Sequence, residues 1–164
     1  MTAIEEFSHR LDPEMCVVTA AAGGERDGCL VGFAAQCSIR PVRFTVWLSK
    51  ANRTFRVAEH ADRLAVHLLT REQHALAALF GGRTGDDGVD KFATVAWTER
   101  SGGALVLEDA PAWFVGRILR RTDAGDHVGF LLEPEEAGER KDLDGPLLRL
   151  SDAVDIRPGH PAED

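Results

Sequence analysis

The sequence predicts a mainly β domain with short helices, closed into a barrel rather than spread as a doubly wound sheet. Three observations carry this prediction. About eight short apolar segments are separated by turn chemistry at close spacing, and two helical patterns are tucked between them. No strand–helix–strand alternation runs through the chain, and no G-x-G-x-x-G follows a strand, which argues against a Rossmann cofactor site.

Taken in order, Ile4, Phe7 and Leu11 recur at helical spacing and predict a short helix ending before Pro13. Residues 15–21 are short and β-branched, hence a strand; residues 23–28 are turn chemistry, and residues 29–35 return as the second arm of a hairpin. A polar corner, Gln36-Cys37-Ser38-Ile39-Arg40-Pro41, leads to a third strand over 44–49. Asn52 can cap a helix running through Phe55 and Ala58. Residues 64–69 are almost wholly apolar and read as a central strand. Thr70-Arg71-Glu72-Gln73 fits a capping box that opens a helix with Leu76, Leu79 and Phe80 inward, stopped by Gly81-Gly82. Residues 81–88 read as a loop that covers a site. Strands follow near 94–98, 104–107, 112–121 and 127–133, the last two joined by a turn at 122–126. Residues 135–144 are charged and loop-like, Leu147, Leu148 and Leu150 dock back onto the body, and the tail after Arg157 is expected to be disordered. One domain over 1–157, followed by a tail over 158–164, is the simplest organisation.

Composition bounds the function. A chain of 164 residues with 44% hydrophobic and 28% charged residues can build one core without a metal or disulfide staple. No apolar run approaches a membrane span, and the acidic start of the chain does not read as an export signal. Cys16, Cys29 and Cys37 are an odd set without C-x-x-C spacing, as expected of reduced thiols in a cytoplasm. A net charge of −8 with scattered arginines speaks against nucleic-acid binding. Histidines 9, 60, 74, 127 and 160 show no H-x-H or H-E-x-x-H spacing, so no metal site is expected. The glycine-rich run at 81–88 lacks a Gly-Lys-Ser/Thr ending and carries two aspartates that would repel phosphate. No Ser-His-Asp order and no cysteine–base pair stands out.

Two segments carry candidate chemistry. Ser49-Lys50-Ala51-Asn52-Arg53-Thr54 sets side-chain donors and positive charge at a helix start, where a phosphate is well held; an ordinary capped helix with surface basics explains the same residues. The corner at 36–41 ends in Pro41, which holds Arg40 extended and interrupts ladder pairing, leaving backbone groups to meet the heteroatoms of a planar ring. A plain turn with a buried serine explains it equally well. The expectation under test is that the bend at Ser38-Pro41 and the donors around Asn52 lie side by side and form one pocket.

Read together, these segments resemble the flavin reductase-like family. The matching features are Val17-Val18-Thr19 in an early strand, the stretch from Gly28 to Ser38 and Pro41, and Asn52 with Thr54 at a helix start. Lys91-Phe92 following Phe80, and Gly125-Asp126-His127 heading a late strand, complete the set. The likeness spans about residues 5–135, in order. Two departures stand out: Leu30-Val31-Gly32-Phe33 replaces a common Thr-x-Ser-Ser, and Arg40-Pro41-Val42 replaces a common Pro-Pro ending.

The resemblance implies an FMN-binding split β-barrel of Greek-key type, usually a homodimer, catalysing hydride transfer from NAD(P)H to FMN or FAD. It implies a ring against Gly32, Phe33, Ala34, Gln36, Cys37 and Ser38, a phosphate on Ser49, Lys50, Asn52 and Thr54, and a stacking ring and charge from Phe92 and Lys91. His127 would seat the hydride donor, although a histidine beside an aspartate at a strand start is also a common turn-stabilising residue. Reduced flavin would pass to a separate monooxygenase. Two other outcomes follow from the same residues: a flavin carrier or sensor without turnover, and a related barrel holding deazaflavin or heme.

Overall fold

A computed structural model describes residues 1–82 and 88–157. The expected loop at 81–88, apart from its end residues, and the tail at 158–164 lie outside the described residues. The chain forms α1 (Ala3–His9), β1 (Cys16–Ala22), β2 (Glu25–Val31), β3 (Ala34–Ile39), β4 (Val42–Ser49), α2 (Arg53–Ala58) and β5 (Arg63–Leu68). It continues with α3 (His74–Gly82), β6 (Trp97–Glu99), β7 (Leu105–Leu107), β8 (Ala112–Asp123) and β9 (His127–Glu139). Seven strands make one antiparallel sheet in the order β2-β1-β5-β8-β9-β4-β3, and β6 and β7 pair as a separate ribbon. The sheet curls until its two edge strands follow one another in sequence through Gly32-Phe33, which gives the expected split barrel. Among the described residues no helix is long and apolar enough to cross a membrane.

The barrel core joins Val18, Val46, Leu48, Leu64, Phe130 and Leu132, and α2 closes it with Val57 and Ala58. A second core lies outside β1, where Met15, Val17 and Leu69 meet Ala77 and Phe80 of α3 and Phe92. Rings step outward through it: Phe80 to Phe92 at 5.8 Å, then Phe92 to Trp97 at 6.1 Å, each edge to face. The predicted C-terminal docking is present. Leu148 is fully buried, accepting from the Met15 N–H at 2.9 Å and donating to the Leu69 carbonyl at 2.9 Å. Gln73 reaches back to the Thr70 N–H at 2.9 Å, which is half of the predicted capping box.

The structure corrects five boundaries. Gly23 and Gly24, both at positive φ, make a two-residue turn that sets Ala22 opposite Glu25, so β2 starts well before Cys29. The expected strand over 29–35 breaks at Gly32-Phe33. Residues 36–39 are not a corner but the end of β3, bulged at Cys37, and the turn is only Arg40-Pro41, joined by a cis peptide. Residues 135–139 are strand rather than loop, because β8 supplies a partner as far as Ala112. Their acids meet arginines: Arg63 with Glu135 at 2.7 Å, Arg117 with Glu135 at 3.7 Å, and Arg100 with Glu136 at 3.4 Å. Finally, Lys91–Thr94 is a 3-10 turn and the strand begins only at Trp97.

Candidate functional site

A cleft of about 390 Å³ opens where β2 ends, β3 begins, β4 ends and β9 begins. Register produces this meeting point: Ser49 pairs with His127, and the Trp47 N–H donates to the Phe33 carbonyl at 2.9 Å. Cys29, Leu30, Gly32, Phe33 and Trp47 form much of the wall, with Met15, Pro13 and Leu150 at the floor. Small residues make room for the large ones. A Cβ on Gly32 would stand 3.2 Å from the Met15 sulfur, and one on Gly129 would stand 2.6 Å from the Trp47 ring. Phe33 is 61% exposed, and its ring lies 5.2 Å from that of His127 at a tilt of 59°. An exposed phenylalanine beside a histidine, over an apolar cleft, offers a planar ligand an aromatic surface.

The polar rim comes from the β4–α2 junction and the head of β9. Asn52 caps α2, its Oδ1 accepting from the Thr54 N–H at 2.9 Å, while its Nδ2 keeps its donors. Ser49 Oγ accepts from the Ala51 N–H at 3.3 Å. The His127 Nδ1 lies 2.7 Å from the Asp126 carboxylate, and the histidine holds that carboxyl below the usual aspartate range. With an ionised acceptor there, Nδ1 carries the hydrogen, and Nε2 is left for whatever enters the cleft. Burial pushes the Cys29 thiol up to about 12, against smaller downward pulls from the Lys91 ammonium and the Thr54 hydroxyl, so Cys29 is an apolar wall and not a nucleophile.

The predicted residues divide. Gly32, Phe33, Ser49, Asn52 and His127 line the cleft together. Ala34 is half-buried and packs against the barrel core. Lys50 sits on a neighbouring cleft of about 420 Å³ with Phe55, Glu59 and Arg121, its ammonium 2.8 Å from Asp123. Thr54 is fully buried behind the rim, and its hydroxyl meets no nitrogen or oxygen partner among the described residues. Gln36, Cys37 and Ser38 run away along β3 toward the other end of the hairpin. Since Ile39 pairs with Val42 while Ala34 pairs with Val46, and β4 covers about 23 Å at ~3.3 Å per residue, the Ser38-Pro41 bend and Asn52 stand at opposite ends of one strand. The expected single pocket of bend and donors is therefore replaced by one centred on Gly32-Phe33.

Lys91 and Phe92 are a further correction: both are buried in the core, each 2% exposed. The Lys91 ammonium donates to the Gly28 carbonyl at 2.6 Å and to the Phe80 carbonyl at 3.3 Å, and lies 3.3 Å from Asp27. Asp27 in turn holds Arg53 at 3.2 Å, so a buried charge network occupies both cations. Sequence reasoning missed Trp47, Met15, Pro13 and Leu150. Trp47 carried a signal, being a large ring two residues from a strand end; the docking of Leu150 was expected, but that it meets Pro13 beside the cleft is a tertiary fact that no local pattern announces.

Comparison with known proteins agrees with this architecture. The FMN reductase (NADH) RutF of Variovorax paradoxus is 30% identical over 118 residues, covering 72% of this chain and 64% of the relative. The chain spans between about a fifth and just under three-quarters of the length of the curated relatives it matches, and under two-thirds of the relative just named. The solved NADH:FAD oxidoreductase SgcE6 of Streptomyces globisporus superposes with a TM-score of 0.79 at 25% identity, covering 98% of this chain and 92% of that one. The styrene monooxygenase flavin reductase of Pseudomonas putida S12 shares the fold, with a TM-score of 0.71 at 22% identity over 85% of this chain and 88% of its own. The sequence profile of the flavin reductase like domain matches residues 9–155, and the chain thus belongs to the flavin reductase-like domain family.

Proposed function

We propose that residues 1–157 form one NAD(P)H-dependent flavin oxidoreductase unit acting on FMN, with FAD as the other candidate. The observation that carries this reading is the cleft itself: an apolar, aromatic wall of Phe33, Trp47 and Leu30 with a polar rim of Ser49, Asn52 and His127, in a chain of this family. The lining fits a flavin, whose planar ring has an apolar face and a polar edge and whose tail is phosphorylated. Gly32 and Phe33 would lie against the ring; Ser49 and Asn52, with Lys50 swung from its exposed partner Asp123, would meet the phosphate. Ala34, which follows Phe33 in the chain, would extend that surface at the start of β3. When bound, the flavin supplies the hydride-accepting centre. The wall excludes water, and the His127 Nε2, oriented by Asp126, would accept a hydrogen bond from the carboxamide N–H of the nicotinamide donor. No protein nucleophile is required.

Four further points belong to the same reading: a cytoplasmic setting, supported by three unpaired cysteines, a homodimeric assembly, and supply of reduced flavin to a monooxygenase. The fourth is a second function. Leu30 and Phe33 place no hydroxyl on the cleft where relatives of the family pattern carry one, which favours a flavin carrier without turnover. One pair of measurements decides. A scan over roughly 300–600 nm separates bound flavin from deazaflavin or heme, and NAD(P)H consumption with and without FMN separates reductase from carrier. Protein that neither binds flavin nor speeds NAD(P)H oxidation overturns the proposal.

A further inference from the structure

The helix α1 is closed by a capping box, Thr2 with Glu5, yet buries none of its residues. Ile4 and Phe7 lie one turn apart on the helix, and Leu11 follows just beyond its end, at 68%, 61% and 56% exposure. Three large apolar side chains at i, i+3 and i+7 form the face that a helix buries against a groove. Such a groove is present on the same molecule. It measures about 590 Å³, is almost wholly apolar, and is walled by Val42, Phe44, Leu68, Trp113 and Phe114, with Glu139 at one end. Ile39 and Val42, at 76% and 49% exposure, continue its apolar surface along the β3–β4 hairpin.

Helix α1 does not cover its own groove. Its root is pinned: Ser151 donates from N–H and hydroxyl to the Asp12 carboxylate at 2.8 and 2.7 Å, and Arg149 donates to the Asp12 carbonyl at 3.0 Å. The chain thereby carries both halves of a contact that it does not make with itself, the condition for an isologous pair in which each copy gives what the other takes. Charge agrees with this. Arg10 flanks the helical stripe, Glu139 flanks the groove, and neither has an ion-pair partner among the described residues. A reciprocal exchange doubles every contact, which helps two small patches reach the ~1,200–2,000 Å² of a stable interface.

We infer that two copies of this chain exchange their N-terminal helices, the Ile4–Phe7–Leu11 stripe of each lying in the β4–β5–β8 groove of the other, with Arg10 facing Glu139. This deepens the homodimer proposed above and does not depend on the bound ligand. The test is light scattering and sedimentation of the full chain over a concentration series, with circular dichroism to confirm folding. The native chain is expected to be a dimer. Ile4→Ser with Phe7→Ser, at positions exposed in the single copy, should raise the dissociation constant at least about a hundredfold, as loss of central apolar anchors does. Arg10→Glu and Glu139→Arg should each weaken the dimer, and the two together should restore it. A native monomer overturns both the dimer and the exchange. A dimer indifferent to the stripe variants, or single charge reversals that the double variant does not rescue, overturns the exchange and leaves the dimer standing. Flavin binding, read separately by absorbance, bears on the cleft and on neither of these.

Discussion

His67 gives the sharpest physical test of the fold. It sits in β5 with no exposed surface, its Nδ1 2.9 Å from the Val17 carbonyl and its Nε2 accepting the Leu107 N–H at 3.0 Å. The two partners require the neutral ring with its hydrogen on Nδ1, and burial lowers the pKa from 6.5 to about 4. Because the folded value lies below the unfolded one, the contribution is complete above the unfolded pKa and is lost as pH falls toward the folded pKa. Between pH 7 and 5 the linkage costs about 2 kcal/mol, or roughly 4–8 °C of melting temperature for a domain of this size. Asp12, Asp90, Asp123, Asp126 and Glu136 are all held below their ordinary values by hydrogen bonds, from Ser151, Arg26, Lys50, His127 and Ser101 first in each case. They stay ionised in that window and do not mimic the effect. The assay is thermal melting of the native chain and of His67→Gln, whose carbonyl can still accept from Leu107, at steps between pH 7 and 5. The variant should start less stable and decline less steeply. Equal slopes would refute the argument.

Other variants probe the cleft and its support. His127→Asn should lower kcat/KM for NAD(P)H by about 10–100-fold, with the flavin dissociation constant little changed in a fluorescence titration. Gly129→Val drives a side chain into the Trp47 ring and should weaken flavin binding more than tenfold while the protein stays folded by circular dichroism, the displaced ring being at the cleft wall. Lys91→Met removes one of two cations around the buried Asp27 and should cost about 3 kcal/mol in urea unfolding; an unchanged midpoint would mean the network is not a support.

Most of the fold was legible because the barrel strands announce themselves. Residues 64–69 are apolar except for His67 since β5 is buried on both faces, and Leu148 declared its docking by being one of three leucines in an otherwise polar stretch. Where the reading failed, burial was one-sided or absent. The acids of β9 sit on a solvent face against arginines, so residues 135–139 look like loop in one dimension and are strand in three. Gln36 to Ile39 forms an edge with little burial, where turn residues and strand residues are hard to tell apart. The cleft was half legible. Gly32, Phe33, Ser49 and Asn52 lie close together in the sequence neighbourhood of one hairpin, whereas Lys91 entered the site through the resemblance alone; a lysine is seldom fully buried, and only Asp27 with two carbonyls explains why this one is.

The C-terminal segment has a practical consequence. Leu148 is stitched between Met15 and Leu69, Leu150 donates to the Pro13 carbonyl, and Arg149 and Ser151 clasp Asp12, so the far end of the chain anchors both the cleft floor and the base of the N-terminal helix. Trimming the protein back to Gly145 removes that clamp and unseats two distant regions in one cut. Affinity tags placed beyond Arg157 leave it intact, and a labelled probe attached at Val154, a surface position beside it, would report slackening of the clamp before the barrel itself opens.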